Sequence, residues 1–148
     1  MRRAVICLGN LLRADDGVAI HLAERLRKER PDIEVVELPA GTPEILDYIR
    51  GRDRVVIVDA IRTGAKPGTI HRIIPQVAES LGLASSHGIN LFGLLRLGQQ
   101  LYPDEMPERL VILAVEAEDT SSFSDELTER VRQAIPVLLE VIDEEFEG

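Results

Sequence analysis

The stretch Ala4-Val5-Ile6-Cys7-Leu8-Gly9-Asn10-Leu11-Leu12-Arg13-Ala14-Asp15-Asp16-Gly17 decides how the rest of the chain is read. A short apolar run ends in a Gly-Asn turn, and two adjacent carboxylates then stand where a helix should begin. The helix is signalled by the stripe Val18, Leu22 and Leu26, at the three-to-four-residue spacing of one buried helical face. A helix N-terminus has unpaired N–H groups and a partial positive charge, so one Asp there acts as a cap. The second Asp is left over, and two neighbouring carboxylates stay ionised only where the helix end, a cation or a metal compensates them.

The pattern of an apolar run followed by a helix repeats along the chain. Further β-branched runs at Ile33 to Leu38, Arg54 to Val58, Ile70 to Ile74 and Leu110 to Val115 make five strands in all. Helical patterns fall between them: Ile45 to Ile49 after Thr42-Pro43, a stripe of Leu91, Leu94, Leu95 and Leu101, and a last helix from about Asp125 to Glu145, which Pro136 should kink or split. The segment 63–68 is too short for a helical crossover, so Ile70 to Ile74 is expected as an antiparallel edge strand. The fold expected is α/β, a three-layer α/β/α sandwich on a mostly parallel five-stranded sheet.

With 148 residues, no linker and no internal repeat, the chain reads as one domain over 1–148. Its 26 acidic against 17 basic side chains give a formal charge of −9, which disfavours nucleic acid and anionic membrane as partners. A single cysteine, Cys7, excludes an internal disulfide framework, and it sits in an apolar run that suits a buried core residue rather than a nucleophile. No long apolar segment follows Met1-Arg2-Arg3, so a cytoplasmic location is expected, and with no apolar stripe left over, a monomer.

In open α/β sheets, ligands bind at the carboxyl ends of the strands. Asp59 ends the run Val55-Val56-Ile57-Val58, where a carboxylate must be paired, hydrogen-bonded or bound to a cation. If the first and third strands are neighbours, Asp59 emerges beside the turn of Asp15 and Asp16. His87, in Ser85-Ser86-His87-Gly88, opens the Leu-rich helix on the same edge and can complete an Asp, Asp, His set. Two oxygens and one nitrogen suit nickel, zinc, manganese or iron with water positions to spare. Each residue also has a plain structural role open to it: Asp59 as the cap of the next turn, His87 as a helix-start residue held by the serines.

Other signals carry less. His21 and His71 are expected in exposed or packing roles. Ser85 and Ser86 have neither an oriented base nor an oxyanion hole to make a triad. Gly9 has no second glycine before Gly17, so no dinucleotide or phosphate loop is present.

Taken together, Gly9-Asn10, Asp15-Asp16-Gly17, Gly41-Thr42, Asp59-Ala60 and Ser86-His87 resemble the nickel-iron hydrogenase maturation endopeptidases, along the whole chain. The resemblance implies metal ligation by Asp16, Asp59 and His87. It implies an enzyme that removes a short C-terminal extension from the hydrogenase large-subunit precursor after nickel insertion, with the nickel arriving on the substrate's cysteines. The metal would place the scissile bond, polarise its carbonyl or activate water; the motifs name no nucleophile. The chain departs from the family at Pro39-Ala40, where many relatives carry an Asp; at Ala19, often glycine; and at Ala114-Val115-Glu116-Ala117, where relatives show a Gly-x-x-Pro turn. The rival readings are a non-enzymatic nickel chaperone with the same ligands and a small-molecule or nucleotide-binding module.

Overall fold

The structure is a computed structural model and describes residues 1–39, 42–75 and 89–147. Five strands form one sheet: β1 (Arg3–Leu8), β2 (Glu34–Leu38), β3 (Arg54–Ile61), β4 (Ile70–Ile73) and β5 (Arg109–Glu116). Their order is β2-β1-β3-β5-β4. All neighbours run parallel except β4 on β5, which is antiparallel and lies at the edge, as expected from the short connection before it. The helices are α1 (Val18–Glu29), α2 (Ile45–Ile49), α3 (Ile89–Leu101), α4 (Glu129–Arg132) and α5 (Ala134–Phe146).

The strands read as near-continuous apolar runs because both faces of the sheet are covered. All eight residues of β3 are buried. Alternate residues divide between two cores. Val5, Cys7, Val56, Val58, Leu113 and Val115 pack with α1 (Val18, Leu22, Leu26) and α5 (Leu138, Ile142). Ile6, Leu8, Val55, Ile57 and Ile112 pack with α2 (Ile45, Ile49) and α3 (Leu91, Leu95) on the other side. This is the three-layer sandwich. Cys7 lies wholly in the first core, where burial pushes its thiol far above the ordinary range.

Several boundaries differ from the sequence reading, most by a single residue. Strand β3 continues to Ile61, because Asp59, Ala60 and Ile61 still find ladder partners in Ala114, Val115 and Glu116. Ile33 stays outside β2, its N–H donating to the Arg30 carbonyl in the turn before the strand. The last helix begins at Glu129 rather than Asp125 and breaks at Gln133, between α4 and α5. The last helix is thus split, as Pro136 predicts: the break falls three residues ahead of the proline, which has no N–H to reach back across it and sits in the first turn of α5.

At the amino edge of the sheet, α5 is fixed by charge. The Arg54 guanidinium donates to the Glu147 carbonyl at 2.9 Å. The buried Glu145 carboxylate takes Arg109 at 3.1 Å and Arg72 as a second ion-pair partner. Arg30 holds Asp143 through Nε at 2.7 Å.

Gly9 ends β1 with φ +154°, and a Cβ there would stand 2.1 Å from the Asp16 carbonyl oxygen. The backbone before the acidic turn and the turn itself are in direct contact at this point. Gly9→Ala should therefore lower stability by about 3 kcal/mol and Tm by about 10 °C in thermal denaturation.

Candidate active site

Between β1 and α1 the chain does not enter the helix directly. Residues Ala14–Gly17 form a 3₁₀ turn, preceded by an exposed loop over residues 10–13. Ala14 adopts φ +48°, unusual for a residue with a Cβ, and all four turn residues are buried. The two adjacent acids have different tasks in this geometry.

Asp15 is wholly buried and does not cap α1. Its Oδ1 accepts the Thr128 N–H at 2.8 Å. Its Oδ2 accepts the N–H groups of Glu118 at 2.9 Å and Asp119 at 3.0 Å, together with the Thr128 hydroxyl at 2.7 Å. Asp15 thus binds the loop after β5 and the start of α4, where Thr128 is the N-cap residue, to the turn after β1. Spacing along the chain carries no trace of this, because the donors lie more than a hundred residues away.

Asp16 is left for the site. It is 4% exposed, and its Oδ2 accepts the Asn10 N–H at 3.2 Å, while its own carbonyl accepts the same N–H. Asp59 is 2% exposed, pairs with Ala114 of β5, and orients its Oδ1 by accepting the Ala60 N–H at 2.8 Å. Strands β1 and β3 are neighbours in the sheet, and the turn carrying Asp16 packs against β3. The structure therefore brings these two carboxylates to the same carboxyl edge, as the sequence suggested. His87 lies outside the described residues, and among the described residues no three His, Cys, Asp or Glu side chains converge as a metal cluster.

A second polar cluster on this edge escaped the sequence reading. Glu116, the last residue of β5, is 1% exposed. Its carboxylate accepts the Thr63 N–H at 2.8 Å and the Thr63 hydroxyl at 2.6 Å, and His71 Nε2 donates to it at 3.1 Å. The edge-strand histidine thus has a carboxylate partner rather than a loose surface role. Burial pushes the Glu116 carboxyl up, but the Thr63 and His71 hydrogen bonds outweigh it and hold the group below its ordinary value. The signal available in the sequence was the placement of Glu116 directly after an apolar strand, the same cue that singled out Asp59. His21, by contrast, points its Nε2 at the Asp125 carbonyl, 2.9 Å away, at one wall of a groove of about 660 Å³ between α1 and α5.

An α/β sheet with buried carboxylates at its carboxyl edge, where folds of this kind hold their ligands, is the class that this arrangement defines. Residues 18–145 match the HycI family of hydrogenase maturation proteases, and the chain belongs to that family. Among curated relatives, the hydrogenase expression/formation protein HupD of Rhizobium leguminosarum bv. viciae is 28% identical over 144 residues, covering 94% of this chain and 71% of the relative. HupD of Thiocapsa roseopersicina is 27% identical, covering 93% of this chain and 64% of the relative. Among solved structures, the hydrogenase maturating endopeptidase HybD of E. coli superposes with a TM-score of 0.81 at 25% identity, over 96% of this chain and 90% of that one. The HybD maturation protease of Thermococcus kodakarensis gives 0.81 at 23% identity, over 97% and 98%. Membership makes the chain a peptidase of hydrogenase maturation, the class to which the sequence resemblance assigned the trimming of the large subunit's C-terminal extension.

The division between the acids has a measurable signature. Asp15→Ala, which strands three backbone donors, should cost about 3 kcal/mol in urea denaturation, whereas Asp16→Asn should cost under about 1 kcal/mol. The Glu116 latch carries a pH sign. Its carboxyl is depressed in the folded state, so its stabilisation is complete above the unfolded value of 4.5 and disappears as pH falls through the folded value. The stability difference between wild type and Glu116→Gln should hold constant above about pH 5.5 and shrink below it.

Proposed function

We propose that this protease, acting in the cytoplasm as a monomer, reads the maturation state of its precursor through nickel. Asp16 and Asp59, together with His87, would complete the coordination of a nickel ion that the precursor large subunit presents on its own cysteines. The observation that carries this reading is the placement of two nearly buried carboxylates toward the carboxyl edge of the sheet, Asp59 within β3 and Asp16 in the turn that follows the neighbouring β1, each already oriented by a backbone N–H. Burying anionic oxygen at a cleft edge costs several kcal/mol unless hydrogen bonds or a cation repay it, and a divalent ion supplied by the substrate does so on binding.

The donor set fits the ion. Nickel is borderline-soft and takes carboxylate, imidazole and thiolate together. Ligation from both sides would fix the extension relative to the protease, so that cleavage follows metal insertion. With nickel as part of the substrate, the protease has no need of a resident metal of its own. The supporting features for location are the single cysteine and the absence, among the described residues, of a helix long and apolar enough to cross a membrane.

The deciding experiment follows an unprocessed large subunit, loaded with nickel or left empty, by intact mass after incubation with the protein. Only the nickel-loaded form should lose its extension. Asp16→Asn, Asp59→Asn and His87→Ala should each reduce the processing rate by at least about a hundredfold with native-like folding. Equal cleavage of the empty precursor would remove the nickel reading and leave the protease. Tight nickel uptake by the free protein without any cleavage would favour a chaperone.

A further inference from the structure

The loop that carries the candidate site also exposes apolar surface. Leu11 is 41% exposed, Leu12 48% and Phe123 85%. Leu11 and Leu12 precede the turn of Asp15 and Asp16, while Phe123 lies in the loop after β5. The two loops are joined by a ladder fragment. The Ser124 N–H donates to the Leu12 carbonyl at 3.0 Å, the Ala14 N–H donates to the Ser124 carbonyl at 2.8 Å, and Arg13 forms a parallel bridge with Ser124. That register sets Leu12 beside Phe123, with the two residues on the same side of the fragment.

Neither loop is loosely tethered. The Asn10 Oδ1 accepts the Leu12 N–H at 3.0 Å, and the loop lies so close to the acidic turn that a Cβ on Gly17 would come within 3.0 Å of the Leu11 Cα. On the other side, the Asp119 carboxylate accepts the N–H groups of Ser121 and Ser122, each at 3.0 Å. The Asp119 carbonyl in turn accepts the Asp15 N–H at 2.8 Å. Exposed Leu and Phe on ordered loops lose little further freedom when something covers them, which is the condition under which such side chains contribute most to binding.

We infer that Leu11, Leu12 and Phe123 form the docking surface for an apolar segment of the protein substrate next to the bond to be cut. This rests on the reading of the chain as a protease of a protein precursor. Continuity favours this occupant: Asn10, whose N–H meets the Asp16 carboxylate, is followed directly by Leu11 and Leu12, so a polypeptide engaged at Asp16 lies next to the patch. Size argues against a second copy of the chain. Three side chains at these exposures offer roughly 300 Å², well under the ~800 Å² per partner that a stable dimer needs. An area of this size suits one part of a longer contact that continues into the cleft.

The test compares wild type with Leu12→Ser/Phe123→Ser and with the conservative Phe123→Leu. The probe is the unprocessed, nickel-loaded large subunit with its extension. Calorimetric Kd, kcat and KM for processing, Tm and sedimentation are all measured. The double variant should weaken Kd and raise KM at least tenfold, with kcat within about twofold and Tm unchanged; Phe123→Leu should recover most of the affinity. Unchanged Kd and KM would overturn the proposal, as would a fall in kcat at constant KM. So would a wild-type dimer that the double variant dissociates while still binding precursor normally. Kd is read on the His87→Ala background, in which the precursor is not cut, with the patch substitutions added to it; precursor that binds there while the wild type does not cut would defeat the proteolytic reading and still leave the patch tested.

Discussion

The buried carboxylate of Asp15 is the constraint on which the carboxyl edge depends. One side chain collects four hydrogen bonds from Thr128, Glu118 and Asp119, and through them the loops after β1 and β5 become a single piece. A fully buried anion is tolerated only when its oxygens are satisfied in this way, so the loops have little freedom to part without exposing or stranding it. The strained backbone of Ala14, at φ +48°, is held from both sides by this network. Asp16 then follows with its direction set, and its carbonyl against Gly9 fixes how close the turn lies to the end of β1.

Precision at such an edge comes from the sheet. Asp59 sits inside a ladder with β5 on one side, close to the end of the pairing with β1 on the other, and its position is that of the strand. Asp16 is one turn away from the neighbouring strand. Carboxylates held by a strand in one case and a buried turn in the other, each with a backbone N–H, have little room to wander, which favours recognition of a ligand with fixed bond directions over one that adapts.

Much of this was legible in the sequence, for physical reasons that differ by residue. Runs such as Val55 to Val58 announce a strand buried on both faces because no other environment hides them, and the stripe of Val18, Leu22 and Leu26 has a period that only a helix satisfies. Asp59 was legible because an acid directly after such a run has few places to go. Glu116 offered the same cue, but its partners Thr63 and His71 come from a loop and an edge strand whose registers no local pattern sets. Asp15 looked like a local helix cap because the sequence shows only neighbours, and its true donors are brought in by the return of the chain through β5. The split of the last helix was legible in Pro136, but its place at Gln133 was not, because the apolar period of Val131, Ile135 and Leu138 runs on across it.

Cys7 has a consequence for how the chain meets soft metals. It is the single thiol in the sequence, sealed in the core beneath α1, with burial holding it in the protonated form. The carboxyl edge therefore presents hard and borderline donors and no thiolate. A surface of that kind can share an ion with a cysteine-bearing partner but competes poorly for ownership of it, because carboxylates do not displace sulfur from a soft or borderline centre. On the nickel reading proposed above, the metal would leave with the partner that brought it.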